Sequence, residues 1–272
     1  MQICSLYSGS SGNSVYLNLG GISVLVDAGK SARMLCRALC DIGSDISEIR
    51  SVFLTHEHND HVSALANLLK KHPIPVHIVL PSLPKFPNAN IPEIADNLKI
   101  HPLLYTEHID QLSVRSFQTP HDSLASVGFR FDFMEDERKR SVGYATDVGY
   151  ISNAVCEGLM GCEAVVLECN HDIEMLKEGP YPYVLKQRIL SRRGHLSNTD
   201  CAILASKLAQ NGTKYILLAH LSETNNTPDT AYDEVAGALA GSGVRLAVAS
   251  PSEPTWLIDE TPCKKPQKEI VC

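Results

Sequence analysis

Four side chains able to bind a metal crowd one short stretch of this chain: His56, His58, Asp60 and His61, in Thr55-His56-Glu57-His58-Asn59-Asp60-His61. Imidazole suits zinc, iron and manganese, and carboxylate suits harder ions. Residues two apart in a strand point the same way, so His56 and His58 can reach one metal together. Asp60 and His61 come after a turn and can face a second metal beside the first. Three further candidates, His121, Asp147 and His220, each follow a strand-like run. Any one of them alone reads as a hydrogen-bonded surface group. Together the seven form the donor set that a dinuclear hydrolytic site needs, with a carboxylate at 147 able to bridge two ions and water activated between them.

The elements that must position these residues are mixed throughout. Strand-like runs cover Gln2–Tyr7, Ser14–Leu19, Ile22–Val26, Val52–Thr55, Val76–Leu80, Leu112–Gln118, Val127–Phe133, Ser141–Thr146, Ala164–Glu168, Tyr215–Ala219 and Arg245–Ser250. Helical periodicity marks Ala32–Cys40, Val62–Lys71, Ile151–Met160, Asp200–Gln210 and Asp229–Ala240. Residues 81–102, rich in Pro and Asn, read as a loop or an excursion. The pattern predicts an α/β protein with two facing sheets and helices outside. Residues 1–259 are expected to form a single domain, followed by a polar tail over 260–272.

Composition narrows the function classes. With 272 residues and a net charge of −7, the chain is long enough for a substantial core and has no global basic field to capture nucleic acid. Nine cysteines, an odd and scattered set, do not pair as a metal-type Cys-x-x-Cys. The N-terminus has no basic, apolar leader, and no run of eighteen apolar residues occurs. A cytoplasmic location without a membrane partner is the expectation.

The chain resembles the metallo-β-lactamase fold superfamily over nearly its full length. The stretch from His56 to His61 matches the superfamily's His-x-His-x-Asp-His motif, and His121, Asp147 and His220 fall in its order. The resemblance implies an αββα sandwich of two mixed sheets. It also implies two divalent ions per chain, zinc or manganese, with iron as a third option. One would sit on His56, His58 and His121 and the other on Asp60, His61 and His220, with Asp147 bridging. Asp27 then stands where the family keeps a buried aspartate that orients a ligand. Asp147 in place of Cys sets the chain apart from the zinc β-lactamases, and His58 in place of Glu from the flavodiiron oxidoreductases. The 73 residues from Asp147 to His220 leave no room for the inserted domain of the β-CASP nucleases. The Ser8–Ser14 loop, Glu168-Cys169-Asn170-His171-Asp172 and Gly194-His195-Leu196-Ser197-Asn198 look like the YycJ/WalJ branch. That branch is related to tRNase Z-type and PhnP-type phosphodiesterases and is associated with exonuclease action on DNA.

On this resemblance His195, between Asp147 and His220, is the general acid that protonates the departing oxygen. Asp60 is counted with it as catalytic. The Gly-Ser loop, through Ser11 and Asn13, is expected to line the mouth of the site. His171 is a fainter substrate contact. Lys186, Arg188, Arg192 and Arg193 place four cations and no acid within eight residues. They read as a contact to a phosphate backbone, with Tyr181 and Tyr183 able to stack on a base. The expected function is a metal-dependent phosphodiesterase, a 5′-exonuclease with DNA rather than RNA as its nucleic-acid substrate. The alternatives are a tRNA 3′-processing-like endoribonuclease, a small cyclic-phosphate diesterase, or a metal-binding regulatory protein without activity. Oligomeric state is left open.

Overall fold

Ala164-Val165-Val166-Leu167-Glu168 and the run from Ile216 to Ala219 are buried at every position. That is the pattern of strands covered on both faces. A computed structural model describes residues 1–86 and 89–260. Among these, β1 (Gln2–Tyr7), β2 (Ser14–Leu19), β3 (Ile22–Val26), β4 (Ile49–Phe53), β5 (Val76–Val79) and β6 (Leu98–His101) lie in one sheet. The second sheet holds β7 (Thr106–Ile109), β8 (Leu112–Gln118), β9 (Val127–Glu135), β10 (Arg138–Ala145), β11 (Ala164–Glu168), β12 (Tyr215–Ala219) and β13 (Arg245–Val248). β14 (Thr255–Asp259) returns to the first sheet beside β1. Each sheet has seven strands among the described residues and is mixed: β3 to β6 pair in parallel, as do β10 to β13.

Three apolar layers hold this αββα sandwich together. Between the sheets, Ile3, Leu17 and Phe53 pack with Phe129, Phe131 and Val142. Outside the first sheet, Leu35 and Leu39 of the helix Ala32–Asp41 cover Leu25 and Val52. Outside the second, Leu204 and Leu208 of the helix Asn198–Gln210 cover Val165 and Ile216.

Several elements differ from the sequence reading. Residues 81–102 are not all loop, since β6 lies within them, and β7 and β14 were not anticipated. Short helices at Ile173–Glu178 and Tyr183–Ile189 were also missed. The helix expected over Val62–Lys71 is two short pieces, Asn59–Val62 and Leu65–Leu68. The Ala64 N–H donates to the Ala28 carbonyl, and the Asp60 carbonyl accepts from Asn13 instead. Tertiary bonds have replaced the i to i+4 bond that would have joined the pieces. The expected tail lies outside the described residues apart from Glu260. That residue is held by Arg140 at 2.9 Å and by the N-terminal amine at 3.3 Å. No helix among the described residues is long and apolar enough to cross a membrane.

Candidate metal centre

Four of the candidate ligands, and Asp27 which supports one of them, arrive from the C-terminal ends of strands. Asp27 follows β3, His56 lies just past β4, His121 past β8, Asp147 past β10 and His220 past β12. Asp27, Asp147 and His220 adopt left-handed backbone with φ of 60°, 57° and 59°. For a non-glycine residue this costs roughly 1–2 kcal/mol. Here it turns the chain sharply at each strand exit, and the surrounding bonds hold it there.

The structure brings all seven predicted ligands together. His56, His58 and His121 offer donor atoms within 4.8 Å of one another, as do His56, His61 and Asp147, and Asp60, His61 and His220. Nε2 of His56, Nε2 of His220 and Oδ2 of Asp147 are buried and have no hydrogen-bond partner. Buried polar atoms are normally satisfied. Orphaned lone pairs converging on one place are what a set of divalent-ion ligands presents, so the residues fit a metal centre.

The far side of each imidazole is tied down. Nδ1 of His61 donates to Oδ2 of Asp27 at 2.8 Å, and Asp27 also accepts from the Thr55 N–H at 2.9 Å. The Thr55 hydroxyl lies 2.9 Å from Asp27 and 3.0 Å from Nδ1 of His56, so it donates to one and accepts from the other. Nδ1 of His121 donates to the Gly194 carbonyl at 3.1 Å. Nδ1 of His220 donates to Oε1 of Glu168 at 2.9 Å. Each bond fixes its ring through Nδ1, which leaves Nε2 as the nitrogen facing the centre; at His61 that nitrogen also lies 3.2 Å from the Asn13 amide nitrogen.

Glu168 was not among the sequence-predicted site residues. It is fully buried at the end of β11, and Oε1 also accepts from Nδ1 of His195 at 2.8 Å. Its Oε2 accepts the N–H groups of Val148 and Leu196. A carboxylate closing an apolar strand, the signal used for Asp147, was present in the sequence. Thr55 carried no such signal. Asp122 was also passed over. Its Oδ1 stands 3.2 Å from Nε2 of His121, and its other oxygen pairs with Arg188.

Charges in the site balance one another. Burial opposes the charged form of His61, but Asp27, Asp60 and Asp147 outweigh it and hold the pKa well above the ordinary histidine value. Burial likewise opposes ionised Asp147, and His220, His61 and His56 outweigh it to hold that carboxyl well below its usual range. His195 is pushed up in the same way: burial acts against it, and the Glu168 carboxylate prevails.

The other predicted residues fall in varied surroundings. Asn13 is buried and donates to Oδ2 of Asp60 at 3.1 Å and to the Gly9 carbonyl, so its amide is used inside the site wall. Ser8 of the same loop accepts the His220 N–H at 2.6 Å. Gly29 packs against this loop so closely that an added Cβ would lie 2.1 Å from the Asp60 carbonyl oxygen. Ser11 is exposed and accepts from Lys30 at 2.6 Å. Lys186 donates to the Lys177 carbonyl, and Tyr183 is exposed on the same helix. Arg192 stacks over the Tyr150 ring at 4.1 Å, and Arg193 reaches the carbonyls of His121 and Ser123. His171 is buried with both ring nitrogens unpartnered, and burial lowers its pKa to about 4.

A second His-rich group, His77, His101 and Glu107, lies apart from the centre. The His77 and His101 rings are 15° from parallel, with centroids 5.2 Å apart and facing nitrogens 3.0 Å apart. That is an in-plane N–H···N hydrogen bond, and it leaves no space for an ion between the rings.

The beta-lactamase superfamily domain matches residues 23–220. The exodeoxyribonuclease WalJ of Streptococcus pneumoniae is 34% identical over 256 residues, covering 92% of this chain and 94% of that protein. The exodeoxyribonuclease YycJ of Bacillus anthracis is 33% identical over 269 residues, covering 97% and 96%. Among solved structures, zinc-bound PqqB from Methylobacterium extorquens superposes with a TM-score of 0.67 at 16% identity, covering 94% of this chain and 99% of that one. Its likeness concerns the fold alone. The chain therefore belongs to the metallo-β-lactamase superfamily and, within it, to the family of the WalJ and YycJ proteins.

Proposed function

We propose that this protein is an exodeoxyribonuclease that removes nucleotides from the 5′ end of DNA with two divalent ions, zinc or manganese, at the His/Asp centre. The observation that carries the reading is the pairing of a seven-ligand cluster with His195, a histidine held on Glu168 and turned toward the same centre. When bound, the ions supply Lewis acidity and bring water toward ionisation near neutral pH, from a pKa of about 15.7 to roughly 7 in favourable zinc sites.

The chain's own residues do the rest. In hydrolysis the oxygen of water bonds to phosphorus, and the bond from phosphorus to the 3′-oxygen breaks. The departing 3′-oxygen takes a proton from Nε2 of His195, whose Nδ1 is engaged by Glu168. The Glu168 carboxylate stabilises the imidazolium before transfer. His195 is 19% exposed, so it reaches substrate while Glu168 behind it stays dry. Asp27, Thr55 and Asn13 hold the ligands in place. Arg188, Arg192 and Arg193 border the same face and contact phosphates without reading sequence. The buried thiols of Cys4, Cys162, Cys169 and Cys201, none in a disulfide, support a reducing, cytoplasmic setting. Residues 1–259 are taken to act as one hydrolase domain.

The test is digestion of a duplex labelled separately at each 5′ and 3′ end, with manganese or zinc, and with Asp147→Ala as the blank. Stepwise mononucleotide release from the 5′ end, absent in the blank, is the expected result. Turnover of a bis-aryl phosphodiester without any DNA cleavage would move the substrate to RNA or small diesters.

A further inference from the structure

Lys30, Arg33 and Arg37 place three cations and no acid between Ala28 and Cys40, in a chain whose net charge is −7. Neither Lys30 nor Arg33 is in an ion pair among the described residues. Lys30 is also held in place. Its ammonium donates to the Ser11 hydroxyl at 2.6 Å, and its carbonyl accepts from the Ser63 hydroxyl. Its stem lies across Gly12, where an added Cβ would come within 2.6 Å of the lysine Cγ. The glycine makes room for the lysine, and the cation is fixed on the wall of the site. Farther along, Arg33 and Arg37 are exposed one turn apart, about 6 Å along the axis, on the helix face opposite Leu35 and Leu39. Arg37 and Met34 border a cleft of about 580 Å³ that Trp256 closes on the other side. The Arg37 pair with Asp41, at 3.9 Å between two exposed side chains, is worth little and gives way to a better anion.

We infer that Lys30, Arg33 and Arg37 hold the phosphate backbone of the retained strand, the DNA beyond the cut. The assignment rests on the exonuclease reading above. This group of cations and the one in residues 186–193 stand at different ends of the donor cluster. Arg193 bonds the carbonyl of His121, at the end formed by His56, His58 and His121. Lys30 bonds Ser11, two residues from Asn13, whose amide donates to Asp60 at the end formed by Asp60, His61 and His220. His195 follows Arg193 by two residues and gives its proton to the departing nucleotide, so the strand that stays bound leaves the centre past Lys30. Cations along that path neutralise phosphates whatever the sequence. Each such contact releases counterions from the DNA, which makes the binding salt-dependent. Holding the retained strand keeps the enzyme on its substrate after each cut and brings the next linkage to the centre.

The test is binding of the metal-loaded enzyme to a long duplex whose 5′-terminal linkages are phosphorothioate, which keep their charge and resist hydrolysis, followed by fluorescence anisotropy over a range of salt. Lys30→Gln, Arg33→Gln and Arg37→Gln combined should weaken that binding about ten- to hundredfold at moderate salt and flatten the slope of log affinity against log salt by about two to three. Metal content and turnover of a bis-aryl phosphodiester, which has no backbone to reach these residues, should stay at the parent values. A dinucleotide ends at the cut and has no phosphate beyond it, so its cleavage should stay there too. Unchanged affinity and salt slope in the combined variant would overturn the assignment, and so would a loss on the dinucleotide equal to the loss on the duplex. No binding of the duplex by the unmodified enzyme, with bis-aryl phosphodiester still turned over, would instead overturn the exonuclease reading and take this assignment with it.

Discussion

Oε1 of Glu168 accepts from Nδ1 of His195 at 2.8 Å and from Nδ1 of His220 at 2.9 Å. One buried oxygen thereby sets the tautomer of a candidate metal ligand and of the proposed proton donor. Glu168→Gln cannot keep this arrangement, because its amide must face either two imidazole N–H groups or those of Val148 and Leu196. We expect it to lose both bound metal and turnover. His195→Ala should keep the metal and lose turnover by about 10²- to 10⁴-fold, while His58→Ala and Asp147→Ala should lose both. Metal content measured alongside release of mononucleotides from DNA, whose alkoxide leaving group needs the proton, separates the cases. Equal metal loss in His195→Ala would remove it from the role of proton donor.

Asp27 touches no candidate metal position and acts through His61. Asp27→Asn retains its size but offers an amide N–H where the Thr55 N–H or His61 Nδ1–H now donates. Metal affinity should fall about 10- to 100-fold, a typical cost for such a partner. Competition with a chromophoric chelator measures it, and unchanged affinity would leave Asp27 with a purely structural part.

Gly29 is where the 8–13 loop, the turn after β3 and the backbone of Asp60 meet. Gly29→Ala must displace backbone, since the neighbouring atoms are a carbonyl oxygen and an amide nitrogen. Overpacking of this kind costs about 1–3 kcal/mol. We expect a lower Tm together with weaker metal binding, because Asp60 moves with the loop. A variant equal to the parent in both measurements would show that the turn yields without moving the ligand.

His77 gives a pH dependence separate from the metal centre. Burial, followed by the positive charges of His101 and Lys99, lowers its pKa to about 3. The unfolded chain binds this proton with a pKa near 6.5, so unfolding takes up a proton below that value. Stability should fall as pH drops from 6.5 toward 3, by on the order of 2 kcal/mol at pH 5 from this residue. Urea midpoints at pH 7 and pH 5 should converge less in the parent than in His77→Gln. Parallel declines would mean that the folded state accommodates the charge.

The strands that build the site were legible because they are buried on both faces and end in a ligand. β10 and β12 show it directly: an apolar run, then Asp147 or His220. β6, β7 and β14 were not legible because they are short and only half covered, and their pairing depends on distant partners. Gln2 of β1 pairs with Asp259, for instance, a contact no local pattern announces. The split at Ser63 and Ala64 was hidden for the same reason, since the competing acceptor is the carbonyl of Ala28. Asn13 read as a group at the mouth of the site. The fold instead uses its amide to hold Asp60.

The centre also has a place in the order of folding. His56 and His220 lie 164 residues apart in sequence and come from opposite sheets. No local segment can assemble it, and the loop closure that unites its donors belongs among the late, long-range events of folding. During synthesis the first histidines emerge long before their partners. The nascent chain carries at most a weak, partial chelate, and full occupancy has to wait until β12 has docked between β11 and β13.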